Sequence, residues 1–97
     1  MDHLADRTWL RSMEEETGDV RVYRHEDHPF PPARGREGLT FHSDGRFEYG
    51  APGRGGTETG TWQGTGDEVR ADIAGQVIVL HLCEVGDDVL RLRWPHP

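Results

Sequence analysis

Residues 39–49 read LTFHSDGRFEY, and this stretch predicts a β-hairpin. Its two arms, Leu39–His42 and Arg46–Tyr49, alternate apolar and polar side chains, which places successive side chains on opposite faces of a sheet. Between the arms lies Asp44-Gly45, a dipeptide that favours a tight turn between antiparallel strands. The stretch therefore predicts two adjacent antiparallel strands.

Similar runs recur along the chain about every ten to twelve residues, separated by Gly, Asp and Pro clusters, a pattern typical of all-β sandwiches and barrels. The eight runs are Thr8–Glu15, Val20–His25, Leu39–His42, Arg46–Tyr49, Thr57–Gln63, Glu68–Ile73, Gln76–Val85 and Val89–Trp94. Since most connections are short turns, we expect an all-β, small eight-stranded antiparallel up-and-down barrel. Closure protects the sheet edges, and eight strands enclose room for packed side chains or one small ligand. An open half-barrel completed by dimerisation is the alternative.

The first run has a competing interpretation as a helix over residues 6–16. Asp6 could serve as its N-cap, but the acidic run Glu14–Glu16 would lie near the helix C-terminus, where the macrodipole disfavours negative charge. We therefore prefer a strand, joined to the second run by a turn at residues 17–19.

Two segments are expected to be loops rather than strands. Residues 26–38 hold three prolines, which cannot donate ladder hydrogen bonds, and residues 50–56 hold four glycines and Pro52. Because long loops in compact domains are often functional, we expect them to flank the entrance to a binding cavity.

Composition limits the class of protein. The 97 residues, of which 33% are hydrophobic, predict a single domain over residues 1–97. The 18 acidic residues outnumber 11 basic ones, all arginine, for a net charge of −7, which disfavours nucleic acid and anionic membranes as partners. The N-terminus lacks the features of a signal peptide, so we expect a cytoplasmic protein.

Metal and thiol chemistry are not expected. Cys83 is the one cysteine, which excludes an intrachain disulfide, and we expect it to be buried and inert. The run His25–His28 contains two histidines, and His3 and His96 lie near the termini, but a loop provides no rigid ligand geometry. We therefore predict neither a metal site nor a cofactor.

Several short motifs resemble small bacterial lipocalin-like (calycin-type) barrels: Thr8-Trp9 in the first strand, the hairpin of residues 41–47, Gly60-Thr61-Trp62, and a last strand with arginines. The resemblance implies that Trp9 plugs one barrel end and that Arg91 or Arg93 packs across its indole. The sequence departs from that family at position 7, where Arg replaces the Gly of its Gly-x-Trp motif.

The expected function is binding of one small apolar or aromatic molecule inside the barrel. Aromatic side chains offer flat apolar walls with polar tips. The candidate lining residues are Trp9, Tyr23, Phe41, Tyr49, Trp62 and His81, and Arg91 would anchor a polar end of the ligand. Alternation also places Arg11 and Glu15 beside Trp9, and Arg21 and His25 beside Tyr23. They line a wet cavity or face solvent, and the pattern leaves both open.

Two alternatives use the same residues differently. A cofactor-independent cyclase, isomerase or lyase would use the cavity as an active site, with His81 and Tyr23 moving a proton. An interaction protein would instead use the outer face of the seventh strand, which is apolar on both faces, to form a homodimer or dock a partner.

Overall fold

A computed structural model describes residues 4–31, 36–50 and 57–94. Within these ranges the chain forms eight strands and one short 3-10 helix. The elements are β1 (Arg7–Arg11), the 3-10 helix (Met13–Glu15), β2 (Val20–His25), β3 (Gly38–Phe41), β4 (Arg46–Gly50), β5 (Thr57–Thr65), β6 (Glu68–Ile73), β7 (Gln76–Val85) and β8 (Val89–Arg93).

The strands close into one barrel in the order β1-β2-β8-β7-β6-β5-β4-β3, and every neighbouring pair is antiparallel. The predicted all-β fold, an eight-stranded closed antiparallel barrel, is therefore confirmed. From β3 to β8 each strand pairs with its neighbour in sequence, as expected of an up-and-down arrangement.

The connection between β2 and β3 departs from that pattern. These strands are not neighbours, because β1 lies between them and pairs with both. Since β1 is antiparallel to each, β2 and β3 run in the same direction, and the chain must travel the length of the barrel between them. The structure describes residues 26–31 and 36–37 of this connection, and the sequence of the connection includes three prolines. We call residues 26–31 and 36–37 the strap.

The first strand is shorter than the sequence pattern predicts. It ends at Arg11, and residues 13–15 form a 3-10 turn, so the prediction of a strand reaching Glu15 is wrong, as is the longer helix. The chain leaves the sheet where the buried Ser12 donates its backbone N–H to Val22 O at 2.8 Å. The Ser12 hydroxyl then bonds the Glu15 carboxylate at 2.7 Å, which holds the turn against β2.

The inner face of the barrel carries the core. Twelve buried side chains form one apolar cluster: Leu4, Trp9, Tyr23, Leu39, Phe41, Phe47, Val69, Ala71, Ile73, Leu80, Leu90 and Leu92. Trp9 is fully buried near the chain start, where its indole N–H donates to Leu4 O at 3.1 Å. We call this the Leu4 end, and the opposite end, where β3 begins, the Glu37 end.

The strap is fastened to the outside of the barrel by Arg36, whose side chain is 7% exposed. Its guanidinium bonds the Glu14 carboxylate at 2.6 Å and the backbone oxygens of Arg11 and Pro31 at 2.9 Å. It also lies 4.5 Å from the centre of the Phe30 ring. These contacts join the strap, the end of β1 and the 3-10 turn, and so fix where the chain enters β3.

No helix in residues 4–31, 36–50 or 57–94 is long and apolar enough to span a membrane.

A close approach of two strands predicts the effect of Gly60→Ala. A Cβ at Gly60 would overlap the backbone carbonyl of Asp72, so β5 and β6 must separate locally. We expect a loss of about 1–3 kcal/mol in the free energy of unfolding, measured by urea denaturation. Gly50→Ala is the matched control, because its nearest neighbour, Thr57 Oγ1, lies 3.4 Å from the added carbon. Equal stability of the two variants would contradict this packing.

The Glu15 ion pair predicts acid sensitivity. Hydrogen bonds from Arg24, at 2.7 and 2.9 Å, and then from Ser12 lower the pKa of Glu15 from 4.5 to about 2. A lowered folded-state pKa stabilises the fold above the unfolded value, and that contribution is lost as pH falls from about 4.5 towards 2. We expect Tm to fall less over this window in Glu15→Gln than in the wild type. Glu26→Gln, an exposed change, should leave the wild-type profile intact.

Candidate ligand-binding site

A single carboxylate organises the Glu37 end of the barrel. Glu37, whose side chain is 15% exposed, accepts hydrogen bonds from the hydroxyl of Tyr23, from the hydroxyl of Tyr49 at 2.9 Å and from Arg21 Nη1 at 3.0 Å. A second guanidinium, that of Arg11, lies 3.9 Å away. We call these five residues the Glu37 cluster. It ties β1, β2 and β4 to the end of the strap.

The two arginines of the cluster are balanced by two carboxylates. Arg11 bonds Glu16 through two nitrogens at 2.8 and 2.9 Å, and Arg21 is paired with Glu37. Arg11 and Arg21 are each about three-quarters buried as side chains, so the pairing offsets the cost of removing their charges from water. Arg21 also stacks over the ring of Trp94, 4.4 Å from its centre.

Both tyrosines keep their protons. Burial, followed by the adjacent Glu37 carboxylate, raises the pKa of Tyr23 and of Tyr49. Each hydroxyl is therefore a hydrogen-bond donor to Glu37 at neutral pH, and neither is a ready phenolate nucleophile.

A pocket of about 410 Å³ opens beside the Glu37 cluster. Its lining residues come from β4 to β7, the turn between β6 and β7, and the position directly after β8: Tyr49, Glu58, Ile73, Ala74, Gln76, Ile78 and Trp94. The Tyr49 and Trp94 rings lie 5.9 Å apart, centre to centre, at 41° to each other. Two aromatic walls over an isoleucine floor, with polar groups at the edge, are the usual make-up of a small-molecule site.

The structure divides the predicted lining residues between this pocket and the core. Tyr49 is in the pocket wall, and Tyr23 is fully buried behind it in the Glu37 cluster. Trp9 and Phe41 are fully buried in the apolar cluster. Trp62 is half-buried, contacts Phe41 edge-on and donates its indole N–H to His42 O at 2.7 Å.

The arginines of β8 do not reach the inside. Arg91 pairs with Glu84 at 2.9 Å and Arg93 lies 3.6 Å from Asp19, and both side chains are at least 40% exposed. Their neighbours Leu90 and Leu92 fill the inner face instead. The expectations that either arginine packs across Trp9, or that Arg91 anchors a ligand inside, are therefore wrong.

His81 and Cys83 also lie on the outer face, so two further expectations are wrong. His81 is exposed and pairs in register with Glu68 and Arg93, whereas the inward positions of β7 are taken by Ile78, Leu80 and Leu82. Cys83 is exposed because it alternates with the inward Leu82, and a register shift between Leu82 and Glu84 leaves it without a partner in β8. His81 and Tyr23 therefore face opposite sides of the sheet and do not form one site.

A second hollow, of about 450 Å³, lies outside the barrel on β5 and β6. Apart from Trp62, Ala71 and Val77, its walls are polar or glycine: Asp44, Gly45, Thr61, Gln63, Arg70 and Asp72. Thr61, Gln63, Arg70 and Asp72 are exposed. The pocket at the Glu37 end has two aromatic side chains and two isoleucines in its walls, whereas this hollow has one aromatic side chain, so the former is the better candidate site for an apolar molecule.

The structure shows no metal-binding cluster within its described ranges, where no group of three His, Cys, Asp or Glu side chains could hold an ion. His25 lies 3.4 Å from Asp27, and His28 lies 3.3 Å from Asp88. His3 and His96 fall outside the described residues.

Sequence reasoning missed Glu37, Ile78 and Trp94 as site residues. A signal for Glu37 was present, because two arginines at inward positions of β1 and β2 require a buried counter-charge. The strap supplies it, just before β3. For Trp94 the sequence showed only that it ends the last strand.

The cluster predicts that Glu37→Gln destabilises the barrel more than Tyr49→Phe. The first change leaves Arg21 and the buried Tyr23 hydroxyl without their anionic acceptor, at an expected cost of about 2–4 kcal/mol. The second removes one hydrogen-bond donor and should cost about 1 kcal/mol. Urea unfolding of both variants measures the difference. Similar losses would show that Glu37 is not the shared acceptor.

No family model matches this sequence, and no curated protein or solved structure matches it. The closed eight-stranded antiparallel barrel is compatible with a lipocalin-like fold, which is the extent of the likeness.

Proposed function

We propose that this chain is a lipocalin-like binding module that holds one small, mostly apolar or aromatic molecule at the Glu37 end of the barrel. The observation that carries the proposal is the 410 Å³ pocket, whose walls are the Tyr49 and Trp94 rings. Its volume falls within the range of small-molecule sites, about 300–1,000 Å³. Compared with the sequence-based expectation, the site moves from the middle of the barrel to one end.

The proposal is supported by the contacts that fix the two aromatic walls of the pocket. Tyr49 is fixed by its hydrogen bond to Glu37, and Trp94 is fixed by the Arg21 guanidinium stacked on its ring. Tyr49 and Arg21 both bond the Glu37 carboxylate, so both walls are held in position before a ligand binds. A preformed site loses less entropy on binding than one that must be ordered by its ligand.

The enzymatic alternative is less well supported by the same geometry. A general base needs free lone pairs, but the Glu37 oxygens already accept bonds from Tyr23, Tyr49 and Arg21. Of the proposed catalytic pair, Tyr23 is fully buried and His81 is on the outer face. The cavity is therefore better suited to holding a molecule than to moving its protons.

Titration with N-phenyl-1-naphthylamine, an uncharged aromatic dye that fluoresces in apolar surroundings, tests the proposal. We expect saturable binding at one site per chain. Ile78→Trp should weaken it at least about tenfold, because a larger side chain fills the pocket floor and overpacking is costly.

Val77→Trp is the matched control. It adds the same indole one position earlier on β7, where the side chain is 57% exposed on the outer face. Its dye affinity should equal that of the wild type, and circular dichroism should show both variants folded. Dye binding that Ile78→Trp leaves unchanged would overturn the proposed site.

A further inference from the structure

The charge around the pocket favours one class of ligand. Of the lining residues that the structure describes, Glu58 is the one with a formal charge, and it is exposed at the pocket edge. It pairs in register with Tyr49 across β4 and β5, so the two side chains are on the same face of the sheet. Within the described residues Glu58 makes no ion pair.

The neighbouring arginines do not offset this charge. Arg11 and Arg21 contribute two positive charges to the Glu37 cluster, and Glu37 together with Glu16, which pairs with Arg11 from outside the cluster, contributes two negative ones, so the charges balance. Both guanidiniums are already committed to carboxylates. A negatively charged ligand would have to displace one of these pairs to bond to Arg11 or Arg21.

The uncharged groups that line the pocket also favour a cationic ligand. The Tyr49 hydroxyl donates its hydrogen bond to Glu37, and the raised pKa of Tyr49 keeps the hydroxyl protonated. What the hydroxyl offers the pocket is an oxygen that accepts hydrogen bonds, whereas the Gln76 amide offers both an acceptor oxygen and N–H donors. The Tyr49 and Trp94 rings add negative faces, which attract cations. The Tyr49 oxygen and the two rings therefore favour a cation over an anion.

Resting on the proposed function, we propose that the pocket selects aromatic molecules that carry a positively charged nitrogen, such as aryl-alkyl ammonium or amidinium compounds. The aromatic part lies against Tyr49, Trp94 and Ile78, and the nitrogen donates to the Glu58 carboxylate at the edge. Anionic ligands of similar size are excluded by the same group.

Calorimetric titration with three compounds on one ring system tests this selectivity: 2-naphthylmethylammonium, 2-naphthylmethanol and 2-naphthoate. At about 0.15 M salt, where surface charges are screened beyond about 8 Å, we expect the ammonium to bind at least about fivefold tighter than the alcohol. The carboxylate should bind more weakly than the alcohol. In Glu58→Gln the ammonium and the alcohol should bind equally, while the affinity for the alcohol stays at its wild-type value.

Glu68→Gln is the matched control for the net charge of the chain. It removes one carboxylate from β6 near the Leu4 end, away from the pocket, and should leave the preference for the ammonium unchanged. If Glu68→Gln reduces the preference as much as Glu58→Gln does, general attraction to an acidic protein explains it and the inference is overturned.

The remaining outcomes separate the inference from the proposed function. The alcohol or the carboxylate could bind as tightly as the ammonium, with binding abolished by Ile78→Trp. This result would overturn the charge selectivity but not the proposed binding function. If none of the three compounds and not the uncharged dye shows binding that Ile78→Trp weakens, both the charge selectivity and the proposed binding function are overturned.

Discussion

The arrangement of this barrel depends on the hydrogen bonds and the ion pair that the Glu37 carboxylate makes. Glu37 is the acceptor for two tyrosine hydroxyls and a guanidinium, and these come from strands that the backbone ladder alone does not bring to a common point. The buried arginines need the carboxylate, and the carboxylate needs them, because each would be costly to bury alone. The interaction therefore sets the position of the strap, the orientation of Tyr49 and, through Arg21, the packing of Trp94.

Much of the fold could be predicted because period-two alternation and turn residues are local signals. The strands Val20–His25, Glu68–Ile73 and Gln76–Val85 have the predicted bounds, and Asp44-Gly45 lies in the predicted turn, with Gly45 at φ 95°. The position of β1 between β2 and β3 could not be predicted, because the alternation of β1 and of β2 allows either strand to pair with β3.

The candidate site was harder to predict than the fold. In an apolar run such as β7 both faces look alike, so the sequence alone does not say whether His81 or Leu80 points inward, and the structure selects Leu80. Tyr49 was identified because it is an aromatic residue on an alternating strand. Its partner Glu37 lies in a loop without periodicity, and only tertiary contacts reveal its role. Pairs of inward arginines are thus a clue to a missing acid elsewhere in the chain.

The position of β1 between β2 and β3 has a consequence for how the barrel closes. Strands β3 to β8 form a continuous antiparallel sheet by local pairing, but its two edges, β3 and β8, never meet each other. The hairpin of β1 and β2 must enter the gap, matching Val20 with Arg93 on one side and Arg7 with Phe41 on the other. Because contacts so distant in sequence carry a large entropic cost, we expect these pairings to form later than the local ones. In the closed barrel the hairpin alone covers the edges of β3 and β8, and without it both edges would be open to pairing with another strand.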